Sequence, residues 1–408
     1  MGLFWAKYAR ALFQTDRAKL TASRATGLFS AFMTRSRYPN IQTLSRAGPT
    51  LRPRADPMNL FFVHPHTRNI GNDIIGFATS KLLYEIFGAA TNIINIPAMQ
   101  GPLFGGLVAR QIYDMNRFAD GVVVGGGNLF ENGQISYDAR AVQALNRPML
   151  LIALSHGRIA GRDGALEDRT DAMHPDAIRH LVGRSTVALV RDIASQAILH
   201  ELGVETEIGG CPTLFLPPNV NETTPDGDLM IPLRHPSRMN VPPTLQWRIA
   251  DDLRRLITAL RVEFARPVRL ACHDYFDLEF AAGFPEAVTV YFDDVHRYIA
   301  ALRTCAMNIC YRLHGFLPCL AFGTHGIHLS YDERGRSMIE TAGMSSWDIN
   351  LLEETDCVSA VMDRARDADR YRRLRSAAQP VIAELRETTM AGVQKFRAIL
   401  DGAGAVEG

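Results

Sequence analysis

From Asn59 onward, short apolar runs alternate with longer stretches whose apolar residues recur every three or four positions. Leu60-Phe61-Phe62-Val63 reads as a buried strand, and Ile75, Ala78, Leu82 and Ile86 share one face of a helix predicted over 74–87. Strands over 119–124, 149–154 and 186–190 and a helix over 193–202 continue the alternation, which predicts an α/β fold with a parallel, doubly wound sheet. Proline and glycine thicken between Gly209 and Asp228, so a domain boundary is expected there. A second α/β unit follows, with strands over 228–234, 267–272, 288–291 and 326–331 and helices over 245–264, 294–305 and 316–322. Past Gly343 the chain is helical and charged. The Arg- and Asp-rich run 362–375 reads as a solvated face, and 381–400 as a closing amphipathic helix. The expected organisation is an N-terminal arm over 1–57, α/β domains over 58–218 and 226–345, and C-terminal helices over 346–408.

A formal charge of +1 over 408 residues offers no global attraction to nucleic acid. That near-neutrality hides an asymmetry. Residues 1–57 hold ten Lys and Arg against Asp16 and Asp56, a net of +8, and the remainder carries −7. Within this arm Phe4, Trp5, Tyr8 and Leu12 fall on one face of a helix over 1–14, with Lys7 and Arg10 off it. Such a helix suits an anionic membrane surface or docking on the protein's own body. The Arg-rich, acid-poor composition also resembles a transit peptide. No apolar stretch approaches the ~20 residues that span a bilayer, and no apolar segment leads to a small-residue cleavage site. Cys211, Cys272, Cys305, Cys310, Cys319 and Cys357 form no CxxC pair and read as reduced core thiols. The expected location is cytoplasmic, peripheral at the inner membrane face through residues 1–14.

Chemistry-bearing residues gather where the predicted strands end, the edge at which open α/β sheets bind ligands. Tyr311-Arg312-Leu313-His314-Gly315 sits at such a strand-to-helix corner, and its glycine leaves room for close approach. Two readings stand for it: a ligand site, or a buried Arg–His pair satisfied by backbone carbonyls. Arg191 ends the strand over 186–190 just before a helix, with Asp192 as N-cap. Gly125-Gly126-Gly127-Asn128 follows the strand over 119–124, either as a site-lining loop that exposes backbone N–H groups or as a tight turn. Asn69-Ile70-Gly71-Asn72-Asp73 joins the first strand to the first helix, where phosphate-binding α/β folds begin, although it is neither GxGxxG nor a P-loop. Arg234 ends the strand that opens the second unit. His64 and His66 have no carboxylate or third histidine at useful spacing, so they read as loop residues and no metal site is expected.

Taken in order, these pieces resemble the polysaccharide pyruvyl transferase family. They are Asn69-x-Gly71 with its acid, the triplet Gly125 to Gly127, Val190-Arg191-Asp192-x-x-Ser195, and Tyr311 to Gly315 leading into Gly323 and Ser330-Tyr331-Asp332. The resemblance spans residues 59–345 and has two departures. Asn72 stands where the family commonly has an acid, with Asp73 one later. A lysine often seen soon after the Tyr-Asp pair is absent, with Arg334 and Arg336 nearby. The resemblance implies two Rossmann-like domains facing across a cleft, similar to GT-B glycosyltransferases. It also implies transfer of the enolpyruvyl group of phosphoenolpyruvate to two hydroxyls of a sugar, as a cyclic ketal and without a cofactor. Carried over, the positions associated with phosphoenolpyruvate are Arg191, Arg312, Leu313 and His314. Asn69, Gly71, Asn72, Asp73, Gly125, Gly126, Gly127, Asn128 and Arg234 are expected to line the cleft.

The residue chemistry fits that implication. Phosphoenolpyruvate carries a carboxylate and a phosphate close together, and planar arginine forks bind such groups while staying charged. Ketal formation needs a proton at the methylene carbon. Histidine is the usual residue able to supply one near neutral pH, so His314 is the candidate acid, or else a phosphate ligand. The acceptor would be a sugar, lipid-linked if the basic arm meets a membrane. Two other functions share the pattern: a GT-B glycosyltransferase using a nucleotide sugar, and a non-catalytic glycan-binding protein.

Overall fold

In the computed structural model, which describes residues 57–99, 105–131, 133–161, 164–219 and 227–403, two parallel six-stranded sheets follow one another along the chain. The first contains β1 (Asn59–His64), β2 (Asn92–Pro97), β3 (Gly121–Gly127) and β4 (Met149–Leu154). A small antiparallel pair, β5 (Ile159–Ala160) and β6 (Leu166–Glu167), interrupts it before β7 (Val187–Val190) and β8 (Glu207–Ile208) complete the order β2-β1-β3-β4-β7-β8. The second contains β9 (Leu229–Pro232), β10 (Val268–Cys272), β11 (Val288–Tyr291), β12 (Met307–Cys310), β13 (Gly326–Ser330) and β14 (Ile349–Asn350), in the order β11-β10-β9-β12-β13-β14. Each sheet therefore reverses its strand order once, between β1 and β3 and between β9 and β12. Such reversals leave a crevice at the carboxyl ends of the strands. The helix expected over 1–14, and any membrane contact through it, lies outside the described residues.

The helices of the first half are α1 (Ile70–Phe87), α2 (Ala109–Phe118), α3 (Ala139–Gln143), α4 (Pro175–Arg184) and α5 (Ile193–Glu201). In the second half come α6 (Pro243–Phe264), α7 (Tyr275–Ala281), α8 (Val295–Thr304), α9 (Leu313–Phe322), α10 (Glu333–Thr341), α11 (Cys357–Arg366) and α12 (Ala368–Ala403). The apolar triplet Val122-Val123-Val124 is fully buried, as a strand covered by helices on both faces must be. All six cysteines are buried and unpaired, and no described helix is long and apolar enough to cross a membrane.

Several boundaries differ from the sequence expectation, each for a local reason. The first helix begins at Ile70 because the Asn69 side chain accepts from the Gly71 N–H at 3.0 Å and serves as N-cap, which puts Asp73 inside the first turn. The glycine triplet belongs to β3, not to a loop after it. β2, β8 and β14 were not foreseen: β8 and β14 are two residues long, and β2 is a partly exposed edge. The Arg- and Asp-rich run is not simply a solvated face. Arg364 Nε donates to Trp347 O at 2.8 Å and Arg375 Nε to Leu320 O at 2.7 Å, and Tyr371 is buried with its hydroxyl on Thr324 O.

The closing helix α12 continues through Pro380 and packs back on the first sheet. Val393 and Phe396, both fully buried, join Phe62, Leu150 and Leu189 in one apolar cluster. A Cβ at Gly121 would lie 2.7 Å from Phe396 Cζ, so this glycine makes room for the helix. Cutting Phe396→Ala would leave a cavity under the first sheet. It should cost about 3–5 kcal/mol by chemical denaturation, although the residue lies far beyond the motifs. A loss under 1 kcal/mol would mean that α12 is not part of the first core.

Candidate active site

The carboxyl ends of the two sheets line a cavity of about 570 Å³. Asn69, Gly71 and Asn72 enter after β1 and Gly127 and Asn128 at the end of β3, the reversal point of the first sheet; Arg191 follows β7. Arg234 enters after β9 and Arg312, Leu313 and His314 after β12, the reversal point of the second. Three expected residues do not line the cavity. Gly125 pairs with Ile152 in the β3–β4 ladder, where a Cβ would meet Ile152 O at 2.3 Å, so its glycine serves strand packing. Gly126, at φ +90°, backs onto Ile75. Asp73 is half-buried on α1 away from the cavity, and burial raises its carboxyl above the usual range.

The arginines divide by what already holds them. Arg312 donates through Nε to Leu233 O at 2.6 Å and through Nη2 to Asp274 at 2.8 Å and to Asp277. Burial opposes its charge, but Asp277 and Asp274 more than offset this and raise its pKa. The same two carboxylates form the capping box that starts α7. The fork expected to meet a ligand is therefore largely committed to protein carboxylates. Arg334 is held likewise, by Asp332 at 2.5 Å and by Glu131 of the first half at 2.6 Å. Among the described residues, Arg191 has one long contact to a carboxylate, Asp192 at 3.3 Å. That carboxylate also accepts from Ser195 N, Ser195 Oγ and Ser337 Oγ.

Arg234 is different. It is half-buried, its Nε and Nη2 donate only to the Arg238 carbonyl at 3.0 and 2.7 Å, and among the described residues no carboxylate comes within 4 Å. Burial, with Arg312 and Arg334 nearby, pulls its pKa down despite Tyr331 and Asp277. Partial burial without a directly paired carboxylate disfavours this charge, and an incoming anion would relieve that.

Two histidines face the same space. Among the described residues, His273 is fully buried with no hydrogen-bond partner for either ring nitrogen, and His314 is half-buried with Nε2 unpartnered. They flank the N-terminus of α1: a Cβ at Gly71 would lie 3.4 Å from His273 Nδ1 and 3.6 Å from His314 Cβ. Both pKa values sit well below the ordinary range. Burial is the first cause for each, followed by Arg312 for His273 and by Arg191, Arg312 and Arg334 for His314. Both imidazoles are thus neutral at pH 7 and surrounded by cations. His64, by contrast, bonds Asn95, and no group of three metal-ligating side chains occurs among the described residues.

His273, Asp274, Tyr331 and Arg334 were missing from the sequence reading of the site. His273 and Asp274 directly follow a predicted strand, the same signal that identified Arg191, and could have been found by it. Arg334 lies two residues after the Tyr-Asp pair, but its role depends on Glu131, distant in sequence.

A family model described as polysaccharide pyruvyl transferase matches residues 69–333. No curated protein matches the chain. Among solved structures, a Listeria monocytogenes protein assigned as a UDP-N-acetylglucosamine 2-epimerase is similar, with a TM-score of 0.52 and 11% identity over 83% of this chain and 96% of that one. The Methanocaldococcus jannaschii UDP-GlcNAc 2-epimerase, in complex with UDP-GlcNAc and UDP, gives 0.47 and 11% over 76% and 92%. The first likeness is one of fold: two parallel-sheet halves facing across a cleft, the GT-B-like arrangement expected from the sequence.

The depressed histidines make stability pH-dependent. Below about pH 6.5 the unfolded chain takes up protons that folded His273 and His314 refuse, so their contribution is complete above that pH and lost as pH falls. His325, pushed down to about 4 by burial first, acts in the same direction. Carboxylates held down by arginine, such as Asp274 and Asp332, add to the loss only below about pH 5. Urea midpoints should therefore fall between pH 7.5 and 5. His273→Phe should flatten part of that slope without lowering the midpoint at pH 7.5. A midpoint constant across this window would contradict the assignment of neutral histidines.

Proposed function

The chain belongs to the polysaccharide pyruvyl transferase family, and from that premise we propose that it transfers the pyruvyl group of phosphoenolpyruvate to two hydroxyls of a sugar in a polysaccharide or its precursor. The observation that carries this reading is Arg234, a half-buried cation with no carboxylate within 4 Å among the described residues, facing a cavity shared with weakly held Arg191 and two neutral histidines. A small molecule with two anionic groups supplies what that arrangement lacks. The N-terminus of α1 adds backbone donors and a favourable dipole.

In the proposed reaction Arg191 and Arg234 hold the carboxylate and phosphate, while Arg312 keeps the second reversal point in shape. Bound negative charge offsets the arginines around His314, raises its pKa and lets it take up a proton. That proton goes to the methylene carbon of phosphoenolpyruvate, leaving C2 oxocarbenium-like. One sugar hydroxyl forms an O–C2 bond and gives its proton back to the imidazole. The C2–O bond to phosphate breaks, the second hydroxyl closes the ring, and its proton leaves with phosphate. Binding and proton delivery by these residues are the chemistry general acid catalysis requires.

The first test is thermal: phosphoenolpyruvate should raise the melting temperature and a UDP-sugar should not. The reverse result would replace this reading by a nucleotide-sugar transferase. Arg191→Ala should weaken donor binding by about one to two powers of ten, since charge-assisted bonds are worth roughly 1.5–3 kcal/mol each, and Arg191→Lys should recover only part. His314→Asn should leave donor affinity nearly intact while cutting turnover by about 10²–10⁴-fold. Calorimetry in buffers of different ionisation heat should detect proton uptake on donor binding in the wild type and not in His314→Asn. Equal uptake in both proteins would remove His314 from the acid role.

A further inference from the structure

Two large aromatic side chains stand exposed together at the mouth of the cavity. Tyr275 is 53% exposed and Phe276 45%, and both line the cavity wall. Neither is loose. They open α7, whose capping box is fixed by the carboxylates that hold Arg312. The Tyr275 ring stacks on Tyr291 at 5.9 Å between centroids, and its hydroxyl accepts from Arg68 Nη1 at 2.6 Å. Arg238 lies over the Phe276 ring, 4.2 Å from its centroid.

The rim joins both halves of the molecule, because Arg68 belongs to the loop after β1 and Arg238 to the segment after β9. Both arginines are exposed, and among the described residues neither has a carboxylate within 4 Å. The inner arginines suffice for the donor, so this outer pair of cations has no counterpart in the pyruvyl-transfer reading. Flat aromatic faces beside a polar cleft suit the C–H face of a pyranose, with one side apolar and the other wet. A neutral sugar would use the rings and leave both charges unanswered.

Resting on the pyruvyl-transfer reading, we infer that this rim is the acceptor subsite and that its acceptor is a sugar bearing an anionic group close to the ring, a phosphate or a carboxylate. Tyr275 and Phe276 pack against the sugar, and Arg68 and Arg238 pair with its charge. The two cations reach the ligand from opposite halves, so the acceptor bridges the cleft with the donor beneath it.

The test uses the full chain with phosphoenolpyruvate present and three probes in each of the gluco, galacto and manno series: methyl glycoside, sugar 1-phosphate and uronic acid. Saturation-transfer NMR should show at least one anionic probe binding about fivefold or more tighter than its neutral partner, the scale expected of exposed ion pairs. A phosphate preference would identify a sugar phosphate as the source of charge, and a carboxylate preference a uronic acid. Phe276→Ala should weaken neutral and anionic probes alike. Arg68→Gln with Arg238→Gln should erase the preference while calorimetry gives an unchanged Kd for phosphoenolpyruvate. The proposal is overturned if no anionic probe binds at millimolar concentration, if the preference survives in the double variant, or if that variant loses the donor. Absence of donor binding in the wild type would instead overturn the pyruvyl-transfer reading itself.

Discussion

Arg312, a guanidinium taken out of water, keeps its counter-charge by joining three strand ends. It leaves β12, takes the carbonyl of Leu233 after β9, and pairs with Asp274 and Asp277 after β10. Breaking a buried pair of this kind costs about 3–5 kcal/mol, because the remaining charge is stranded. The second reversal point is therefore stiff. The same carboxylates start α7 and so fix where Tyr275 and Phe276 stand. The inner cavity and its rim depend on one ionic knot.

A second network sets how the two halves meet. Glu131, fully buried in the first half, accepts from Gly157 N at 2.9 Å and from Arg334 of the second half at 2.6 Å. Asp192 does the same through Ser337 Oγ, and the Ala194 N–H also donates to Ser337 Oγ. Arg158 pairs with Glu333 nearer the surface. These contacts hold the carboxyl edges of the two sheets at a separation that leaves room for a small ligand. They also use up the charge of Arg334, which is why an arginine pointing into the cavity is still poorly available to an anion.

Much of this was legible in the sequence because parallel sheets send every strand's carboxyl end to one edge. Asn69, Arg191, Arg234, Arg312 and His314 all stand shortly past an apolar run, a position that marks them without any knowledge of their contacts. The same rule applied after Cys272 would have given His273. The state of each arginine was not legible. Arg312 and Arg234 look alike in sequence, yet one is bound by two carboxylates and the other by none, and that difference arises from residues tens of positions away. Gly125 was misplaced for a related reason: a glycine that admits a neighbouring backbone and one that admits a ligand carry the same letter. The return of α12 to the first sheet was hidden because its apolar stripe says that it packs, not where.

The arrangement of charge also bears on how a proton could be handled here. His273 and His314 are neutral because burial and the arginines around them disfavour the imidazolium, so each is a weak base. On the proposed reading, an acid appears only when an anion arrives to offset the field that Arg191, Arg312 and Arg334 impose on His314. Coupling acidity to donor binding in this way ties protonation of the enol carbon to the presence of the substrate that carries it. It also makes the cations do two jobs, holding the donor and setting the imidazole. Arg191, the first cation to depress His314 after burial itself, is also the one held only weakly by its own carboxylate. A donor anion that engaged Arg191 would therefore bind and activate in one step.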